Sequence, residues 1–79
     1  MENTTLFDVS LIEMTNVKNV IKEVCSLLEE RGYNSINQLV GYFISGDPGY
    51  ISSYKGARDK ILNLDRATIL SYILKDYLK

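Results

Sequence analysis

The sequence lacks histidine and contains a single cysteine, Cys25, among its 79 residues. Histidine is the commonest general base near neutral pH, and one cysteine can form neither a disulfide framework nor a multi-cysteine zinc site. We therefore expect no enzyme, no bound metal and no cofactor. Cys25 falls on an apolar helical stripe, which favours a buried structural thiol over a reactive one.

The sequence also lacks long apolar runs. None approaches the roughly 18 residues of a membrane span, and the N-terminus has neither the basic start nor the apolar run of a signal peptide. Together with the unpaired cysteine, this predicts a soluble cytoplasmic protein without membrane insertion. A single domain of this size buries only roughly 60–65% of its unfolded surface, so self-association would add stability.

Basic residues are absent from the N-terminal region and concentrated in the C-terminal region, although the net charge is only −1. Residues 1–16 contain three acidic and no basic residues, whereas residues 53–79 contain six Lys or Arg and three Asp. This asymmetry favours protein contacts over nucleic acid. The six tyrosines could stack on bases, but in a helical protein they are more often core edges and dimer surfaces.

Helical periodicity begins after a polar N-terminal segment. We expect a flexible tail over residues 1–14 and a helical domain over residues 15–79, with Thr15 or Asn16 capping the first helix. Gly32 stands where a left-handed residue would end that helix. Its predicted apolar stripe consists of Val17, Val20, Ile21, Val24 and Leu28.

The central stretch, Gly32 to Tyr50, contains four of the five glycines and the only proline. Ser35 and Gln38 match a capping box, which predicts a helix over residues 36–45 that ends at Gly46. Gly41 is expected to let a neighbouring helix approach. The predicted apolar stripe of this helix consists of Ile36, Leu39, Val40, Phe43 and Ile44.

The remaining residues predict one short turn and two more helices. Asp47-Pro48 starts the turn, Ser52 or Ser53 caps a short helix weakened by Gly56, and Asp65 caps the last helix. No strand pattern competes, so we predict an all-α fold, a small compact bundle of four main helices plus one short extra turn. The apolar face predicted for the last helix consists of Ile69, Leu70, Ile73, Leu74, Tyr77 and Leu78.

Two groups of residues could carry a regulatory function. Lys55, Arg58 and Arg66, with Lys60, form either a solvated basic face or a docking site for an acidic partner or a phosphate. Thr4 and Thr5 lie in the acidic tail and are candidate phosphorylation sites. The glycines do not form a phosphate-binding loop, because neither GxxxxGK[ST] nor GxGxxG is present.

Three segments of the central stretch resemble a known family. They are Gly32-Tyr33-Asn34, Asn37-Gln38-Leu39-Val40-Gly41-Tyr42 and Ser45-Gly46-Asp47-Pro48-Gly49-Tyr50-Ile51. The resemblance is to the IreB/ReoM family of small regulators in Gram-positive Firmicutes. It extends from about Thr5 to the closing Tyr77-Leu78 and includes Ala57-Arg58 and Asp65-Arg66.

This resemblance implies a cytoplasmic, non-catalytic, all-helical homodimer. A membrane Ser/Thr kinase with extracellular PASTA repeats would phosphorylate an N-terminal threonine, and a cognate phosphatase would reverse the modification. The protein would control peptidoglycan synthesis through Clp-protease turnover of the UDP-N-acetylglucosamine enolpyruvyl transferase, binding either the adaptor machinery or that enzyme. Phosphorylation would relieve this control.

The resemblance also implies site residues. The family threonine stands two residues before a phenylalanine, as Thr5 does before Phe7, so Thr5 is the expected phosphosite, with Thr4 second. Family function is attributed partly to basic surface residues, of which Arg58 matches, while Ser53 stands where the family usually has arginine. Phosphate on Thr5 could pair with Arg58 or Lys55, or repel an acidic partner. The alternative is a helical dimeric structural or nucleic-acid-associated protein without a phospho-switch.

Overall fold

The computed structural model describes residues 11–79. Within this range the chain forms four α-helices and two short 3-10 turns, and no strand occurs there. The all-α prediction with four main helices is confirmed, but two extra turns are present instead of one. The helices are α1 (Leu11–Glu30), α2 (Ser35–Ser45), α3 (Ala57–Leu62) and α4 (Arg66–Leu78); the 3-10 turns are Pro48–Tyr50 and Tyr54–Gly56.

Helix α1 begins at Leu11, earlier than the predicted start at Thr15 or Asn16. Met14 is half-buried and lies three residues before buried Val17, so the core-facing stripe extends one turn further back. Glu13 in the first turn is favourable beside the positive end of the helix dipole. Residues 11–14 of the predicted tail are therefore helical, and the rest of that tail lies outside the described residues.

The core lies between α1 and the second half of the chain. The α1 stripe is buried as predicted at Val17, Val24 and Leu28, and α1 makes its most extensive contact with α3. Between them, these elements remove their apolar side chains from water, which is the main favourable term in folding. The partners of the α1 stripe in the core are Leu39, Tyr42, Ile51, Ala57, Ile61 and Ile69.

The start of α2 corrects the predicted capping box. Asn34 is the N-cap residue, and its side-chain oxygen accepts a hydrogen bond from the Asn37 amide at 3.0 Å. Ser35 is instead buried inside the first turn, where its hydroxyl donates to the Glu29 carboxylate at 2.7 Å. Gln38 accepts from the Ser52 amide at 3.0 Å. A charge-assisted bond is stronger than a neutral cap bond, which explains why Ser35 faces α1.

The end of α2 and the following turn agree with the prediction. Gly46 has a φ of 74° and lies in the left-handed region, and its amide bonds to the Tyr42 carbonyl. Asp47 caps the turn Pro48–Tyr50 by accepting from the Gly49 amide at 2.8 Å. At Gly41 the close neighbour is the Tyr50 ring of this turn, into which an added Cβ would project. The predicted close approach is therefore made by a turn and not by a helix.

The helix predicted after Ser52 is divided in two. Lys55 and Gly56 both have positive φ values, 48° and 79°, so the backbone is left-handed at two consecutive residues and α3 begins only at Ala57. Ser52 accepts from the Tyr54 amide at 3.1 Å, whereas Ser53 makes no capping bond. Gly56 thus precedes α3 and does not weaken its interior.

Helix α4 begins as predicted. The Asp65 carboxylate accepts a hydrogen bond from the Thr68 amide at 3.3 Å. Ile69 is fully buried and Leu64 packs against the core, as their staple spacing indicates. The first turn of α4 is therefore fixed on the core.

Candidate functional site

Lys55 is the most strongly compensated of the predicted partner-binding residues. Its ammonium lies 3.1 Å from the carboxylate of Glu30, which also accepts a hydrogen bond from the Tyr54 hydroxyl at 3.2 Å. The bond to Lys55 holds the pKa of Glu30 below its ordinary value, and Glu30 in turn raises the pKa of Lys55. Both side chains are exposed to solvent, so the pair orients the Lys55 side chain more than it stabilises the fold.

Arg58 is held by a backbone carbonyl. Its Nε donates to the Ile51 carbonyl at 2.8 Å, which ties α3 to the end of the first 3-10 turn. No carboxylate among residues 13–79 pairs with this half-buried guanidinium. Arg58 therefore keeps a net positive charge at a fixed position on the surface.

Arg66 joins the start of α4 to the end of α2. Its Nη1 donates to the Phe43 carbonyl at 2.9 Å, and the guanidinium lies 6.0 Å from the centre of the Tyr42 ring. A Cβ at Gly46 would come within 2.8 Å of Nη2, so the guanidinium occupies the space that a side chain there would need. Cations are favourable at the C-terminal end of a helix, where carbonyls lack partners. Arg66 is thus a structural clamp as well as a surface charge.

The basic residues are held in two places. Lys60 of α3 pairs with Glu23 at 3.5 Å and Lys55 of the second 3-10 turn pairs with Glu30, so both ammonium groups are directed toward α1. Arg66 lies at the α2–α4 junction and shares none of these partners within the described part of the chain. The sequence placed these residues on consecutive short helices, and the hydrogen bonds show that they are anchored separately.

The phosphorylation sites predicted at Thr5 and Thr4 lie outside the described residues. Both precede the first residue of α1, Leu11, in the sequence. The two site predictions, phosphosite and partner surface, remain predictions.

A second surface feature is an apolar face that the chain leaves exposed. Ile44 is 81% exposed and Tyr77 is 83% exposed. The stripe predicted for α2 is only partly buried: Leu39 and Phe43 pack on the core, whereas Ile36, Val40 and Ile44 are exposed. The helix also buries Ser35 and Tyr42, which lie outside that stripe. We call this surface the outer face; its exposed residues are Ile36, Val40, Ile44, Leu70, Ile73, Leu74, Tyr77 and Leu78.

An apolar groove borders the outer face. Its walls come from three helices: Ile21 and Cys25 of α1, Val40 and Phe43 of α2, and Leu70 and Ile73 of α4. Sequence periodicity could not reveal this groove, because it depends on how three separate helices are arranged. The signal that was available is the surplus of apolar residues on α2 and α4 beyond one stripe each.

Cys25 forms part of the groove wall and is half-buried. Burial raises the pKa of its thiol, and a hydrogen bond with Ser35 opposes part of that increase. A raised pKa disfavours the nucleophilic thiolate and is consistent with a structural role, but the side chain is half-buried and not buried as the stripe predicts.

Within 11–79 no helix is both long and apolar enough to cross a membrane. The same part of the chain contains no group of three or more His, Cys, Asp or Glu residues that could hold a metal ion.

Comparison with known families gives one match over nearly the whole sequence. A family model described as IreB regulatory phosphoprotein matches residues 2–79. The match includes the N-terminal segment with both threonines and all four helices.

Proposed function

The chain belongs to the IreB family of regulatory phosphoproteins, and from this premise we propose that it is a non-catalytic switch phosphorylated on Thr5, with Thr4 as the second acceptor. A PASTA-type Ser/Thr kinase adds the phosphate, and a cognate phosphatase removes it. The family match over residues 2–79 carries this proposal, because it includes both threonines. The spacing of Thr5 and Phe7 supports the choice of acceptor.

The proposed output is control of peptidoglycan synthesis in the cytoplasm. The unphosphorylated protein acts on the Clp-dependent turnover of UDP-N-acetylglucosamine enolpyruvyl transferase, by binding the adaptor machinery or the enzyme itself. Arg58 and Arg66 support this role, because no described carboxylate neutralises either guanidinium. Lys55 contributes less to a partner contact, since Glu30 already compensates its charge.

A homodimer is the proposed working form. The outer face supports this, because four of its exposed apolar side chains, Ile36, Val40, Leu70 and Ile73, line a common groove, and contiguous exposed apolar surface marks interaction sites. A second copy would cover the face with the same face, as two-fold symmetric dimers do. Size-exclusion chromatography with light scattering tests the proposal, and a monomer at every concentration would contradict it.

The kinase step can be tested directly. Incubating the full chain with a PASTA kinase and ATP, followed by mass spectrometry, should place phosphate on Thr5, and Thr5→Ala should remove most of it. Thr68→Ala is the matched control, because Thr68 lies in the first turn of α4 and should not affect the yield. Absence of phosphate from residues 1–10 would favour a helical dimeric protein without a switch.

The partner surface has its own test. In pull-downs with the adaptor and protease machinery or the transferase, wild type should capture its partner, and Thr5→Glu and Arg58→Ala should capture less. Lys60→Ala is the control, because Lys60 is paired with Glu23 and lies outside the proposed contact. Equal capture by all four proteins would contradict the assignment of Arg58.

A further inference from the structure

Two lysines on α1 differ from the two lysines of the second 3-10 turn and α3. Lys18 and Lys22 are both exposed and lie four residues apart, so their side chains project from the same side of the helix. Neither has an ion-pair partner among residues 13–79, whereas Lys55 and Lys60 are paired with Glu30 and Glu23.

The immediate surroundings of the pair leave its charge uncompensated. The helix neighbours three and four residues from Lys18 or Lys22 contain no carboxylate: Met14, Thr15, Asn19, Ile21, Cys25 and Ser26. Two like charges at this spacing repel each other modestly, and an anion placed between them would relieve the repulsion.

The position of Leu11 determines which cations a phosphate on Thr5 can reach. Thr5 precedes Leu11 by six residues, so the connecting backbone spans at most about 20 Å. Lys18 and Lys22 lie about 10 and 16 Å from Leu11 along the helix axis, at about 1.5 Å per residue. Both are within this span.

Lys55 is much harder to reach in the same chain. It is held by Glu30 at the other end of α1, about 28 Å from Leu11 along the axis. A phosphate on Thr5 could approach it only with a fully extended backbone and both side chains stretched. It would also have to compete with the Glu30 carboxylate.

We propose that Lys18 and Lys22 form the intramolecular docking site for the phosphate on Thr5, with the N-terminal segment folded back along α1. This rests on the proposed function, since it requires phosphorylated Thr5. The phosphate carries about −1.5 to −2 charge at pH 7 and accepts hydrogen bonds from both ammonium groups. Ile21 and Cys25 each follow one of these lysines by three residues, so the docked segment lies beside the groove.

Cys25 allows the phosphate to be installed without a kinase. A synthetic peptide thioester of residues 1–24, with phosphothreonine at position 5, can be ligated to residues 25–79, whose first residue is that cysteine. The product is the full chain with native sequence. Far-UV circular dichroism then confirms equal helix content in each protein compared.

The readout is a pH titration of the phosphate by phosphorus NMR. Nearby cations favour the dianion, so the phosphate pKa in the full chain should fall by about half a unit below that of the free phosphopeptide 1–10. Lys18→Gln with Lys22→Gln should abolish this shift. Lys55→Gln with Lys60→Gln removes the same charge from the α3 side and should preserve it.

Two results would overturn the site. One is a phosphate pKa equal to that of the free peptide, and the other is loss of the shift only in the Lys55 and Lys60 double variant. Neither result depends on the kinase assay, because the phosphate on Thr5 is introduced by peptide synthesis. A further outcome is that the kinase leaves residues 1–10 unmodified while the phosphate pKa shift still depends on Lys18 and Lys22. That outcome would support the docking site and contradict the proposed phosphorylation switch.

Discussion

Two sets of aliphatic side chains in this protein have opposite surroundings. Ile61 on α3 is fully buried beneath α1, whereas Ile44 on α2 is 81% exposed. Between residues 13 and 30, helix α1 leaves no large apolar side chain exposed. Helices α2 and α4 present such side chains on two sides, so that Leu39 is buried beside exposed Val40.

Buried and exposed apolar residues therefore have different roles in this chain. The core residues are needed for the chain to fold, and the outer face requires something beyond the single chain to cover it. In a domain of this size the margin is small, since total stabilities are only about 5–15 kcal/mol. Substitutions in the two sets should therefore affect different measurements.

Truncation of a core residue should give the largest effect. Ile61→Ala should lower the free energy of unfolding by about 2–5 kcal/mol, because it removes buried surface and leaves a cavity. The matched variant Ile44→Ala should change it by less than about 0.5 kcal/mol at concentrations where the chain is monomeric. Both replace isoleucine by alanine, so urea titrations isolate the effect of burial. Equal losses would show that the outer face is not free in the monomer.

A charge on the outer face should act on association instead. Leu74→Glu should weaken self-association at least tenfold, equivalent to about 1.4 kcal/mol, because the glutamate must be desolvated in the proposed dimer. Lys75→Gln makes the same change in net charge beside the outer face and should leave association unchanged. Sedimentation equilibrium measures both, and equal behaviour would place the dimer contact elsewhere.

Cys25 tests the border between the two regions. Burial raises the pKa of its thiol, so alkylation by iodoacetamide at pH 8 should be several-fold slower in the folded protein than in the urea-unfolded chain. Because the folded pKa lies above the ordinary 9.0, the associated stability is present below pH 9.0 and is lost as pH rises through the folded pKa. An alkylation rate equal to that of the unfolded chain would show that the groove is open to solvent.

The exposed pair of Lys55 and Glu30 should give the smallest effect. Lys55→Gln should leave the urea midpoint at pH 7 unchanged within error, because solvent screens both charges. The pKa of Glu30 is lowered from 4.5, so any contribution is present above pH 4.5 and lost as pH falls through the folded value. A clear drop in the midpoint would indicate that the pair helps to hold α3 on α1.

The sequence was sufficient for most helix boundaries but not for choices between adjacent polar residues. Asp65 and Gly46 act locally, and their roles were predictable. Asn34 and Ser35 are both good capping residues, and the choice depends on Glu29 of another helix. The break at Lys55 also escaped prediction, because lysine carries no preference for a left-handed backbone.

For the candidate site, the sequence identified the basic residues but not which of them are paired with a carboxylate. Arg58 and Lys55 look equivalent in the sequence, and only the structure shows that one faces a carbonyl and the other a carboxylate. The predicted stripe of α2 combines buried Leu39 with exposed Val40, because periodicity finds apolar residues without showing what covers them. Lys18 and Lys22 were overlooked because they stood out only after Lys55 and Lys60 were found paired with Glu30 and Glu23.

The contact between α1 and α3, the most extensive in the fold, determines when the chain can fold during synthesis. Val24 and Ile61 are both fully buried, and they are about 37 residues apart in the sequence. When α1 leaves the ribosome, the residues of α3 that will cover its apolar stripe are still inside the exit tunnel. Folding must wait for that long-range closure, which makes it slower than helix formation itself. Until α3 emerges, the α1 stripe lacks the helix with which it makes its most extensive contact, and it is open to chaperone binding.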